Sequence, residues 1–214
     1  MNWKKIILSI FIGSIFFIGC GKKEATDLTE LKSRLWEGDL IFRITPSDQD
    51  LSIWAATGST FNQVGIILKR KKKFQVYTVD STVRYMSLEA FVTNSRKGKF
   101  VVKRLIDSYE MIDESIAHAI RLAANRYVGR AYDYQLSWEN SKFYGPELIW
   151  KIYYEGLLVE LGKLHTLSDL DLSNRMAQRY VDKYLQVKKP GDFFIVPFFQ
   201  IFHYEQLETV FESG

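Results

Sequence analysis

The only cysteine of this chain is Cys20, and it stands at the end of an apolar leader. Whatever folds downstream of it has no thiol, so no disulfide can tie that domain together even in an oxidising compartment. The roughly 180 residues that follow are enough for one self-sufficient core, which must carry the fold by burial alone. The same absence removes a cysteine nucleophile and cysteine metal ligands from the domain.

The leader has the layout of an export signal. Lys4 and Lys5 form a basic start, Ile6 to Ile18 is an uncharged apolar run, and Gly19-Cys20 closes it. The run is shorter than the ~20 apolar residues a spanning helix needs, and it fits a signal-peptide core. A small residue directly before cysteine, followed by Gly21-Lys22-Lys23-Glu24, is expected to be a bacterial lipoprotein cleavage box, although Phe17 stands where the usual box has Leu. Cleavage would leave Cys20 as the new amino terminus, carrying a lipid on its sulfur. An uncleaved signal anchor is the alternative. The expected organisation is a leader over 1–19, a lipidated tether over 20–35 and one domain over 36–214, held at a membrane of the bacterial cell envelope. Gly21 after the cysteine does not choose between inner and outer membrane.

Removal of the leader takes Lys4 and Lys5 with it, so 27 basic residues face 25 acidic ones and the formal charge falls from +4 to +2. A nucleic-acid partner is therefore not expected. The densest basic run, Lys69-Arg70-Lys71-Lys72-Lys73, sits between two strand-like segments and reads as a solvated hairpin tip; contact with anionic lipid headgroups is the alternative. No His/Cys/Asp spacing points to a metal, no glycine-rich phosphate loop is present, and no cofactor is expected.

Periodicity predicts an α+β domain. Strands are expected over Leu40 to Ile44, Val64 to Leu68, Phe74 to Val79, Val101 to Ile106, Phe193 to Val196 and Leu207 to Phe211. Short helices are expected over Asp50 to Ala56 and from Ser87, and long ones over Asp113 to Tyr127, Pro146 to about Leu161 and Asn174 to Leu185. Strands concentrate early, so the helices should pack on a small, mostly antiparallel sheet. The aromatic pairs near 193 and 198 read as core, with an acyl-chain groove as the sharper alternative.

Five segments occur in a telling order: Gly38-Asp39-Leu40-Ile41-Phe42, Phe61-Asn62-Gln63-Val64-Gly65-Ile66-Ile67, Val102-Lys103-Arg104-Leu105, Gly129-Arg130-Ala131-Tyr132-Asp133, and Tyr144-Gly145-Pro146-Glu147-Leu148-Ile149-Trp150-Lys151. In that order the chain resembles the YiiX/YebB-like branch of the NlpC-type papain-like hydrolases, from Trp36 to about Phe211. The resemblance implies a circularly permuted papain-like fold in which the histidine strand precedes the cysteine helix. It also implies hydrolysis of amide or ester bonds in cell-wall peptides or acylated lipids.

The family's catalytic positions do not carry over. Its hairpin motif, aromatic-Ser-His-x-Gly, falls on Phe61-Asn62-Gln63-Val64-Gly65, which puts Gln63 at the general base. Its nucleophile motif, Tyr-Cys-Ser-Glu-Leu, falls on Tyr144-Gly145-Pro146-Glu147-Leu148, which puts Gly145 at the nucleophile. The third position, acidic in the family and on the next strand, falls on Thr78. Glycine has no nucleophile, and glutamine cannot take a proton near neutral pH. Gly145-Pro146 still suits a helix start, with glycine at the N-cap and proline first inside. Tyr132, Asp133, Tyr144 and Glu147 match the family and are expected to line or brace the cleft.

His118, His165 and His203 lie off the family pattern and read as structural or surface residues. Ser137, Ser141 and Tyr144 are hydroxyls without an evident base. The expectation is a lipid-anchored, inactive relative that binds a cell-wall peptide, an acyl lipid or a protein partner in the former cleft. Two alternatives stand beside it: an amidase, peptidase or acyl-hydrolase using non-standard residues, and a structural lipoprotein with no small ligand, favoured if Gln63 and Gly145 share no open cleft.

Overall fold

The computed structural model describes residues 28–45, 59–106, 112–138, 140–185 and 194–213. Cys20, its leader and the helix expected over Asp50 to Ala56 lie outside the described residues. In chain order the elements are α1 (Leu28–Arg34), β1 (Leu40–Arg43), β2 (Gln63–Arg70), β3 (Lys73–Val79), β4 (Val83–Ser87), α2 (Leu88–Thr93) and β5 (Phe100–Leu105). They continue with α3 (Glu114–Tyr127), α4 (Gly145–Leu157), β6 (His165–Thr166), α5 (Arg175–Tyr184), β7 (Phe194–Ile195), α6 (Phe198–Phe202) and β8 (Leu207–Glu212).

Six strands form one sheet in the order β4-β3-β2-β1-β5-β8, with every pairing antiparallel. β1 lies at the centre between β2 and β5, and all four of its residues are buried. Alternation along the strand explains this: Leu40 and Phe42 face the larger core under α3 and α4, while Ile41 joins the smaller core under α1 and α2. Helices thus cover both faces of the sheet, and the α+β, permuted papain-like architecture expected from the sequence is the one found.

Local chemistry sets the main boundaries. The Asp113 carboxylate caps α3 by accepting from the Ile116 N–H at 2.9 Å, and Ala117, Ile120, Ala123 and Ala124 line its buried stripe. Gly156 lets α4 touch α3. A Cβ there would lie 2.9 Å from Ile120 Cγ1 and 3.1 Å from Ile120 Cα, closer than packed carbons come. Asp39, fully buried, holds Arg104 through two hydrogen bonds of 2.7 and 2.8 Å and accepts from the Trp36 N–H at 2.7 Å, which anchors the Trp36-to-Asp39 turn.

Three expectations are corrected. The stretch up to Leu35 is not tether throughout: α1 forms there and buries Leu31 and Leu35 against Ile41 and Phe100, so the folded body begins by Leu28 rather than Trp36. Strand β4 was not foreseen; Val83 and Met86 are buried along it, and it forms the sheet edge beside β3. Of the two closing strands expected, only β8 joins the main sheet, whereas β7 pairs with β6 in a separate two-stranded ribbon. That pairing also places His165 in a strand.

Candidate functional site

Helix α4 starts one residue earlier than its sequence suggests. Tyr144 is the N-cap, Gly145 the first helical residue and Pro146 lies in the first turn, where its missing N–H has no intrahelical partner to lose. Gly145 is half-buried. A Cβ built on it would stand 3.4 Å from Val64 Cγ1, an ordinary van der Waals contact. Packing therefore does not require glycine here, and the missing side chain is a chemical change rather than a steric one.

Strand β2 sets Val64, not Gln63, against the start of α4. Gln63 is buried and fully engaged: its Oε1 accepts from Arg43 Nε at 2.6 Å, and its Nε2 donates to the Val79 carbonyl at 3.3 Å. Arg43 in turn donates to the Phe91 carbonyl and lies 4.2 Å over the Phe91 ring. An amide suits this clamp because it accepts and donates at once and does not change its role by taking a proton. Thr78, also buried, donates its hydroxyl to the Val64 carbonyl at 2.7 Å. Opposite Thr78, the motif's Gly65 is sterically required, since a Cβ would lie 2.4 Å from Val76 Cγ1. Two of the three family positions are thus tied into the sheet, and the third has no side chain.

The four cleft residues brace more than they line. Asp133, fully buried, accepts from the Ser137 N–H at 2.7 Å, the Gln135 N–H at 2.9 Å and Asn140 Nδ2 at 2.8 Å, and so gathers the loop that leads to α4. Tyr132 packs on Tyr134 with ring centroids 4.9 Å apart. The Tyr144 hydroxyl is fully buried and accepts from the Val196 N–H at 2.8 Å, and burial holds this phenol well above its ordinary pKa. Glu147 is fully buried; Oε1 meets Lys151 Nζ at 2.7 Å and Oε2 has no hydrogen-bond partner. Burial pushes its carboxyl up to about 8, against the opposing pull of Lys151. His118 and His203 are exposed, and His165 packs edge-on against Phe199.

The open space lies on the flank of α4. A cavity of about 560 Å³ is bounded by Trp138, Phe143, Trp150, Lys151, Tyr154 and Arg130, with Ser141 at its edge. Trp150 and Tyr154, one helical turn apart, stack at 5.2 Å, and Trp138 stands edge-on to Trp150 at 5.1 Å. Lys151 Nζ donates to the Trp138 carbonyl at 3.0 Å and lies 4.8 and 5.3 Å from the centroids of Trp138 and Phe143. A second cavity of about 590 Å³ opens beside Phe199, Gln200, His203 and Tyr204. Neither cavity is lined by Gln63, Thr78 or Gly145. Sequence reasoning missed the first one. Its trace there is the aromatic and basic stripe of Trp150, Lys151 and Tyr154 on a helix otherwise read for its lost nucleophile.

Comparison with known proteins follows the same lines. Residues 34–203 match the permuted papain-like amidase enzymes of the YaeF/YiiX, C92 family. The chain is 30% identical over 173 residues to the uncharacterized protein YiiX of Escherichia coli K12, covering 81% of this chain and 84% of that protein. It superimposes on the crystal structure of YiiX from Escherichia coli O157:H7 with a TM-score of 0.77 at 29% identity, covering 84% of this chain and 98% of the other. That structure is described as a metalloprotein. Among the described residues here, no group of three or more His, Cys, Asp or Glu side chains is placed to hold a metal ion, so the donor set does not fit one.

Proposed function

The chain belongs to the permuted papain-like amidase family, and we propose that it serves there as a catalytically silent member that binds a short cell-wall peptide rather than cleaving one. One observation carries this: the nucleophile position is Gly145 and the base position, Gln63, is consumed by Arg43 and the Val79 carbonyl. A thiolate pathway needs a sulfur and a base within hydrogen-bond reach of it, and these two positions supply neither. The former cleft offers no described cavity shared by Gln63 and Gly145, which favours a structural lipoprotein. Binding, however, needs only a shaped cavity with a few polar groups, and the Trp138–Trp150–Tyr154 cavity beside α4 supplies one outside that cleft. Its aromatic walls suit the backbone and side chains of a peptide. Arg130 among its lining residues suits a terminal carboxylate, and Glu155, also among them, suits an amino group. Cys20 supplies the lipid anchor in this scheme, and the protein acts at an envelope membrane.

The test is native mass spectrometry of the full chain after incubation with an envelope extract, with released small molecules followed in parallel. A peptide retained without product formation, and lost in Trp150→Ala, supports the proposal. Chain-dependent product formation overturns it in favour of an enzyme with other chemistry. A retained acyl lipid or protein in place of a peptide overturns the ligand class, and no retained ligand favours a structural lipoprotein. Gly145→Cys sharpens the catalytic half: the Cβ fits, so the variant should fold, label with iodoacetamide at the rate of an ordinary exposed or half-buried thiol, and show no amidase activity. Amidase activity in that single variant would show that Gln63 does not silence the site.

A further inference from the structure

The hairpin joining β2 and β3 is built against its own sequence preference. Arg70 and Lys73 pair as the last strand residues, which leaves a two-residue turn made of Lys71 and Lys72. Both sit at positive φ, +51° and +61°. Two-residue turns of this kind favour Asn-Gly, since glycine has no Cβ and the short asparagine side chain tolerates the left-handed region in which lysine is strained. The Arg70–Lys73 pairing imposes the turn, and lysines kept there at a strained, exposed tip are candidates for a functional role. The tip supplies one in its charge: Lys69, Arg70, Lys71, Lys72 and Lys73 are all exposed.

Few neighbouring groups neutralise this cluster. Glu37 lies 4.0 Å from Lys69 but is bound to Arg121 at 2.8 Å, and Glu89, which feels Lys73, is bound to Lys32 at 2.6 Å. Lys69 and Arg70 lie over the rings of Phe74 and Tyr85 at 5.5 and 5.0 Å, so the two cations at the base of the finger are propped by aromatic faces. The result is a rigid strand-borne projection carrying five positive charges. Anchoring at Cys20 would leave only eight residues before the folded body at Leu28, a contour of at most ~27 Å, so the body would stay close to a bilayer surface.

We propose that the Lys69–Lys73 finger docks onto anionic lipid headgroups and so orients the domain on its membrane. The proposal rests on membrane attachment through Cys20, and the two are read separately. The full chain is reconstituted in vesicles of phosphatidylcholine alone or with about a third phosphatidylglycerol. Flotation reads attachment, and the rate of tryptic cleavage within residues 69–73 reads docking. The expected result is flotation with both vesicles, with tip cleavage slowed only by the anionic one and the protection lost in high salt. Lys71→Asn with Lys72→Gly removes two charges while giving the turn its preferred residues. Its thermal midpoint should rise, and its docking constant should fall roughly 30-fold, at ~5-fold per basic residue near the surface.

Equal cleavage in both vesicles, or full protection of the double variant, overturns the docking. A midpoint that does not rise overturns the claim of a strained tip. Protection by soluble inorganic polyphosphate in phosphatidylcholine vesicles, matching that of the anionic bilayer, overturns the bilayer as the partner. Failure to float with either vesicle removes the attachment on which the proposal stands.

Discussion

Glu147 makes stability depend on pH in the direction opposite to most carboxylates. It is fully buried, its Oε2 is unpartnered, and burial raises its pKa from 4.5 to about 8. A carboxyl whose folded pKa lies above its unfolded value keeps its proton in the folded state, so unfolding releases a proton between those two values. Stability from this group is therefore fully present below about pH 4.5 and is lost as pH rises through about 8. From pH 6 to pH 8 the loss is two units at ~1.4 kcal/mol each, so wild type should lose about 3 kcal/mol between pH 6 and 9 through Glu147 alone. For a domain of this size that is roughly 6–12 °C in Tm. Glu147→Gln keeps the shape and an acceptor for Lys151 while removing the titration, and Lys151 retains the Trp138 carbonyl at 3.0 Å. The assay is urea unfolding of both proteins at pH 6, 7, 8 and 9, reading the difference between them so that other titrations cancel. That difference should shift by about 3 kcal/mol across the range, against the wild type at the alkaline end. A difference constant from pH 6 to 9 would mean that Glu147 is ionised throughout and that its contact with Lys151 is an ordinary salt bridge.

Two further expectations concern packing around the lost site. Gln63→Leu strands Arg43 Nε without its 2.6 Å acceptor in a buried position, and should cost about 1–3 kcal/mol in urea denaturation. Gln63→His retains one ring nitrogen as acceptor and should cost less; the reverse order would discredit the clamp. Gly156→Ala gains about 1 kcal/mol of helix propensity but drives a methyl to 2.9 Å from Ile120 Cγ1 and 3.1 Å from its Cα. Overpacking of about 1–3 kcal/mol should outweigh the gain, and a stabilised variant would show that α3 and α4 separate freely.

Legibility in the sequence followed the range of the interaction. Helix α3 was readable because its cap and its apolar stripe are local, and the β2–β3 hairpin because two β-rich segments flank a short polar tip. α1 was missed although Leu28, Leu31 and Leu35 recur at helical spacing, since the surrounding polar residues read as tether. The loss of nucleophile and base was legible from two residue identities. What Gln63 does instead was not, because Arg43 and Val79 reach it only through strand pairing. The aromatic cavity needed tertiary knowledge too: Trp138 meets Trp150 across a loop whose Gln135, Ser137 and Asn140 are tied to Asp133.

The order of the main sheet has a consequence for how the chain is made. β5 finds its outer neighbour only in β8, so Leu105 waits for Leu207, roughly a hundred residues further on. During synthesis the β1–β5 and β1–β2–β3–β4 pairings can form first, leaving one flank of β5, with Val101 and Val102, open to foreign strands. The growing chain thus carries an adhesive edge for the interval in which α3, α4 and α5 emerge.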